Sequence, residues 1–255
     1  FDRNRERRGF QALSEGLMAL ASGEGRVAMA KAAKAERYLN RPDLTNLITA
    51  QAAELSGDRK KAEEVYKRLL KDDQTRFVGV NGLLKQKLAD GDTETALKLA
   101  ERAFALKPKH VETQDALLKL QAGERDWSGA RDTLGAKLKH GVMPRDLHKR
   151  RDAVMSIAQA RQLRSEGKID EAQAMAIEAN RLSPELIPAA VMAGRAYIEQ
   201  GKPKYATHVL KAAWDKQPHP ELAATFAAVN ETESTSARIK RFQTFTKAQA
   251  NHSES

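Results

Sequence analysis

Cysteine is absent from the 255-residue chain, which excludes disulfides, thiolate metal sites and thiol catalysis. Aromatic residues make up only 5% of it, and β-branched residues are sparse. Any core must therefore be built from Ala and Leu, which suits helix pairs with small residues where they cross. No apolar run approaches the ~18 residues of a transmembrane helix. The longest, Leu186 to Gly194, is interrupted by Pro188. Catalytic signatures are missing too: there is no His-Glu-x-x-His, no Gly-x-Ser-x-Gly and no Gly-rich phosphate loop. The sequence predicts neither an enzyme nor a bound cofactor or metal.

What is present is charge, helix formers and a period. Ala, Leu, Lys, Glu, Gln and Arg dominate, a helical composition. The 44 Lys and Arg against 34 Asp and Glu leave a net charge of +10. Such a balance suits nucleic acid, anionic lipid or an acidic protein partner. The lack of aromatic residues interleaved with the basic ones weighs against nucleic acid.

The period is 34 residues. Ala28, Ala62, Ala96 and Ala130 are spaced by it, and so are Ala172 and Ala206. Five residues before each stands Gly23, Gly57, Gly91, Gly167 or Gly201, with Arg125 filling the fourth slot. Twelve residues after Ala96, Ala172 and Ala206 comes Pro108, Pro184 or Pro218. A helix–turn–helix unit of this period is the tetratricopeptide repeat. Gly permits the left-handed turn after the first helix, Ala lets the second helix cross it closely, and Pro stops the second. The fold expected is all-α, a tetratricopeptide-repeat right-handed superhelical solenoid of antiparallel helix pairs forming a single domain over 1–255. Repeats are placed at 9–42, 43–76, 77–110, 111–144, 153–186 and 187–220. The insertion 145–152 either lengthens a helix or adds a turn. Capping helices are expected within 221–250, near Glu221–Asn230 and Ser236–Ala250, followed by a disordered tail from Asn251 to Ser255. Trp127, Trp214, Tyr66 and Tyr197 fall at repeat-packing positions and are expected in the core.

The opening ALSEGLMALASGEGRVAMAKAAKAERYL, the repeat ELSGDRKKAEEVYKRLL and the late LKAAWDKQPHPELAATF together resemble the HemY family of proteobacterial inner-membrane proteins associated with haem biosynthesis. Trp214 followed by Pro218-His219-Pro220 is the most specific part. The resemblance implies membrane segments upstream of this region, links to haem-pathway enzymes and a scaffold role. It also brings a second hypothesis, direct tetrapyrrole binding. His140, Met143 and His148 are the side chains able to ligate haem iron, but no apolar enclosing motif accompanies them. Surface histidine is the better reading of His140 and His148, and His219 is read as part of the Pro-His-Pro turn. Arg3, Arg5, Arg7 and Arg8 suit a cytoplasmic membrane flank, so the repeats are expected on the cytoplasmic rather than the periplasmic side.

By analogy with the repeat family, the ninth residue of each unit faces the groove lined by first helices. In order these are Leu17, Gln51, Lys85, Lys119, Arg161 and Arg195, four of them basic in succession. Arg164 lies one turn beyond Arg161, and Asn81 one turn before Lys85. Asn81, Lys85, Lys119, Arg161, Arg164 and Arg195 are the candidate partner-binding residues, suited to acidic side chains or a terminal carboxylate.

Overall fold

The computed structural model describes residues 2–141, 143–249 and 251. Those residues form fourteen α-helices and one short 3-10 helix, and no strand occurs among them. The chain divides into two compact units, residues 1–123 and 124–255.

Unit 1 holds α1 (Asp2–Ala21), α2 (Gly25–Tyr38), α3 (Pro42–Leu55), α4 (Arg59–Leu69), α5 (Arg76–Asp90), α6 (Thr93–Leu106) and α7 (Val111–Gly123). Each helix packs on the next along the chain. The spaced alanines sit where expected: Ala28, Ala62 and Ala96 are all 0% exposed. A larger side chain there would push neighbouring helices apart. The first helix begins seven residues before the expected repeat. Its added turns are anchored where Gly9 meets Leu39 and Tyr38, and Arg5 donates to the Arg37 carbonyl at 3.1 Å.

The turns explain the sharp helix ends. Gly23, Gly57 and Gly91 have φ of 74°, 73° and 73°, the left-handed region that favours glycine. The next residue then starts a helix. Asp58 and Asp92 accept from the Lys61 and Thr95 backbone N–H groups at 3.0 and 3.1 Å, each cap contributing about 1 kcal/mol.

Unit 2 holds α8 (Trp127–Lys139), α9 (Arg145–Ser165), α10 (Ile169–Leu182), α11 (Ile187–Glu199), α12 (Pro203–Trp214), α13 (Pro220–Ala227), α14 (Thr235–Thr246) and the 3-10 turn Lys247–Gln249. Arg125 does occupy the glycine slot, and it takes the same left-handed conformation, φ 58°. Among the described residues it is the only non-glycine to do so. Asp126 behind it still caps α8 through the Gly129 N–H at 2.9 Å. The insertion resolves to the first of its two alternatives: it lengthens α9 to 21 residues. Arg131 of α8 fixes that extension, holding Asp152 at 2.5 Å and pointing a second N–H at the Met175 sulfur of α10, 3.4 Å away.

The C-terminal segments are helical as expected but shorter. α13 ends at Ala227 and α14 at Thr246, while Ala250 and the tail from 252 onward lie outside the described residues. Trp214, Phe226 and Phe245 are fully buried together. Phe226 stacks on Phe245 at 4.0 Å, and Trp214 lies 5.0 Å from Phe245. His219 is a turn residue, its Nδ1 accepting from the Glu221 N–H at 3.2 Å to start α13. Tyr66 is buried like Trp214. Trp127 and Tyr197 are only half-buried, and Tyr197 spends one face on the exposed Tyr205, 5.4 Å away.

Candidate functional site

The six candidate residues fall three in each unit. In unit 1, Asn81 and Lys85 stand one turn apart on α5, Asn81 half-buried and Lys85 exposed, while Lys119 is exposed on α7. Lys85 has a carboxylate neighbour, Glu112, at 3.9 Å, so part of its charge is already screened.

In unit 2 the arrangement is tighter. Arg161 and Arg164 of α9 and Arg195 of α11 line one open cavity of about 350 Å³. All three arginines are exposed. Between them the surface is made of small or flexible apolar side chains, Ala160, Ala172, Ala176, Ala196 and Met192. The alanines leave the room, and the repeat leaves the arginines: one helix position, recurring in successive repeats, puts Arg161 and Arg195 beside the same space. Glu199 closes one end. It accepts from Arg164 at 2.7 Å and from Gln173 at 2.7 Å. The Arg164 guanidinium holds the Glu199 carboxyl below the usual carboxylate range, against the opposing effect of burial and with help from Gln173. Arg164 is therefore neutralised within the protein. Among the described residues Arg161 and Arg195 have no carboxylate within ion-pair distance.

Sequence reasoning placed the arginines but missed Glu199 and Gln173. Glu199 is four residues beyond Arg195, one turn along α11, a spacing that points to Arg195, whereas its partner is Arg164 of the preceding repeat. Gln173 lies on a second helix and carried no signal. Two guanidinium groups over an apolar floor can bind carboxylates bidentately; the protein's own carboxylates lining the same cavity are Glu199 and Glu221.

The haem-ligating candidates do not line the arginine cavity. His140 is the residue that ends α8, Met143 is buried and His148 is half-buried on the extension of α9. No group of three His, Asp or Glu side chains with metal-binding geometry occurs among the described residues. No described helix is long and apolar enough to cross a membrane.

Helical hairpins at a 34-residue period, with alanine crossings and left-handed turns, define a tetratricopeptide-repeat protein. Within that class, residues 1–77 match the family model described as HemY protein N-terminus, which bears out the HemY-type resemblance read from the sequence. No curated protein matches the chain by sequence. Among solved structures, the chain is similar to MamA protein, at 19% identity over 70% of this chain and 93% of that one, TM-score 0.38. It is similar to a tetratricopeptide repeat protein from Parabacteroides merdae, at 13% identity over 94% and 99%, TM-score 0.48. It is also similar to the TPR2AB domain of yeast Sti1 in complex with pHSP90, at 15% identity over 94% and 98%, TM-score 0.40.

Proposed function

We propose that the chain is a non-enzymatic protein-interaction scaffold whose unit 2 groove holds an acidic segment of a partner protein. One observation carries this reading: Arg161 and Arg195, at equivalent positions of successive repeats, line a common apolar-floored cavity in which Glu199 is taken up by Arg164, and among the described residues neither Arg161 nor Arg195 forms an ion pair. Exposed guanidinium groups cost little to leave in water, and they gain most from a partner whose carboxylates meet them in pairs. Lys85 and Lys119 extend the same basic character to unit 1. The HemY N-terminus match favours a full-length protein tethered at the bacterial inner membrane with haem-pathway enzymes among its partners, and the cluster Arg3, Arg5, Arg7 and Arg8 favours the cytoplasmic side for the repeats.

The test is affinity capture with the full-length protein from its own membranes, run beside an Arg161→Glu/Arg195→Glu variant. Partners held by the groove should be lost from the variant by at least about tenfold, a change of ~1.4 kcal/mol. Circular dichroism should remain unchanged, because both side chains are exposed. Recovery of the same proteins in the same amounts would sink the proposal.

A further inference from the structure

The extension of α9 has a buried side and a free one. On the buried side Asp152 is 8% and Ala153 0% exposed, and Arg131 ties that side to α8 and α10. On the free side Leu147 and Val154 are 40% and 52% exposed. They are seven residues apart, about 10 Å or two turns along one face. Arg161 follows seven residues later on the same face, where it enters the groove beside Arg195. Arg150 and Arg151 stand between Leu147 and Val154, both exposed. No carboxylate occupies this stripe of α9, which reads Leu147, Arg150, Arg151, Val154, Ala158, Arg161, Ser165.

One physical feature separates this stripe from an ordinary solvated helix surface: the apolar pair lies in phase with Arg161 at the groove rather than with the packed side, Asp152 and Ala153. α9 outruns α11 by eight residues, 21 against 13, so the stripe projects past the repeat that forms the groove's other wall.

We propose that the 145–152 insertion is a recognition element that lengthens the groove, and that its occupant is an acidic amphipathic helix of a partner protein. Apolar residues seven apart on that helix meet Leu147 and Val154, and its flanking carboxylates meet Arg150, Arg151, Arg161 and Arg195. A helix is favoured because its heptad repeats the spacing of the α9 anchors, whereas an extended chain covers the same distance in about three residues. This inference rests on the groove reading given above and adds the partner's shape and the second contact region.

The probe is a fluorescein-labelled helical peptide with Leu every third or fourth residue on one face and Glu flanking them, read by anisotropy against the full chain. A matched peptide with Lys for Glu is the control. The Glu peptide should bind with an affinity that falls as salt rises, and the Lys peptide should not. Leu147→Asp/Val154→Asp should weaken binding by at least about tenfold with helicity unchanged, whereas Leu147→Met/Val154→Ile should bind as the natural chain does. If the aspartate variant also binds normally while Arg161→Glu/Arg195→Glu does not, the insertion inference fails and the groove reading survives. If neither variant loses the peptide, both fail. No binding of the Glu peptide, with phosphatidylglycerol vesicles binding through Leu147 and Val154 instead, would overturn the inference in favour of a lipid surface.

Discussion

The two units share one period but end differently, and the difference shows what decides side-chain size in this fold. From α2 to α6 of unit 1, and from α9 to α11 of unit 2, the crossings are alanines, with Leu, Val and Ile filling between. A helix covered on both sides by equal neighbours needs no more than that. At α12 the pattern changes: Trp214, Phe226 and Phe245 join a single cluster with Val209, Leu210 and Leu222. Among the described residues α12 is followed by two helices outside the 34-residue period, and its apolar face is closed by aromatic side chains that they carry. Among the described residues unit 1 contains one large buried aromatic, Tyr66, and there the chain makes room by deletion, with Gly82 lying against the ring.

The strongest way to break this contrast is Trp214→Ala. Removing a fully buried indole from the closing cluster should destabilise unit 2 by about 4 kcal/mol. Denaturant unfolding followed by fluorescence of Trp127 would measure it; a loss under ~1 kcal/mol would mean that the aromatic cluster does not hold the end of the unit. Next comes the pair Gly82→Ala and Gly194→Ala. A Cβ at Gly82 would overlap the Tyr66 ring, whereas at Gly194 it meets the tips of Leu210 at 3.0 Å. The rigid ring should make the first cost about 2 kcal/mol and the flexible leucine should hold the second to ~1. Equal shifts in melting temperature would show that ring rigidity does not matter. Smallest is Arg125→Gly, which should stabilise by about 0.5–1 kcal/mol by relieving a left-handed non-glycine residue. Gly91→Ala should do the opposite at the matching turn of unit 1. A destabilised Arg125→Gly variant would mean that Arg125 makes a compensating contact.

Much of the architecture was legible because the repeat writes the same geometry several times. Six alanines, four and then two spaced by 34 residues and each 0–2% exposed, announced the crossings, and the glycines before five of them announced the turns. The insertion was legible in place but not in form. Eight residues rich in Arg and Lys suit a helix or a loop equally, and the choice fell to Pro144 as an extended N-cap and to Arg131 reaching across from α8. The closing aromatic cluster was missed, since Phe226, Phe242 and Phe245 follow no repeat. Phe242 and Phe245, three apart on α14, were the available hint. At the groove, a single repeat position sufficed to find Arg161 and Arg195. Which arginine is neutralised depends on Glu199 from the next repeat, a relation that only packing supplies.

Arg241 holds the last helix in place by several means at once. Its guanidinium lies 4.3 Å from the Phe226 ring centre and 5.5 Å from that of Phe242. It donates to the Phe226 carbonyl at 2.7 Å and pairs with Glu233 at 2.5 Å. The loop from Ala228 to Ser234 is thus bridged by side chains independently of its backbone. Cutting that loop between Val229 and Glu231 would leave α14 bound to the body by the guanidinium clasp and its two phenylalanines. The closing helix is in this sense a bound peptide that happens to be covalently attached, and a chain ending before it should accept the same segment added in trans.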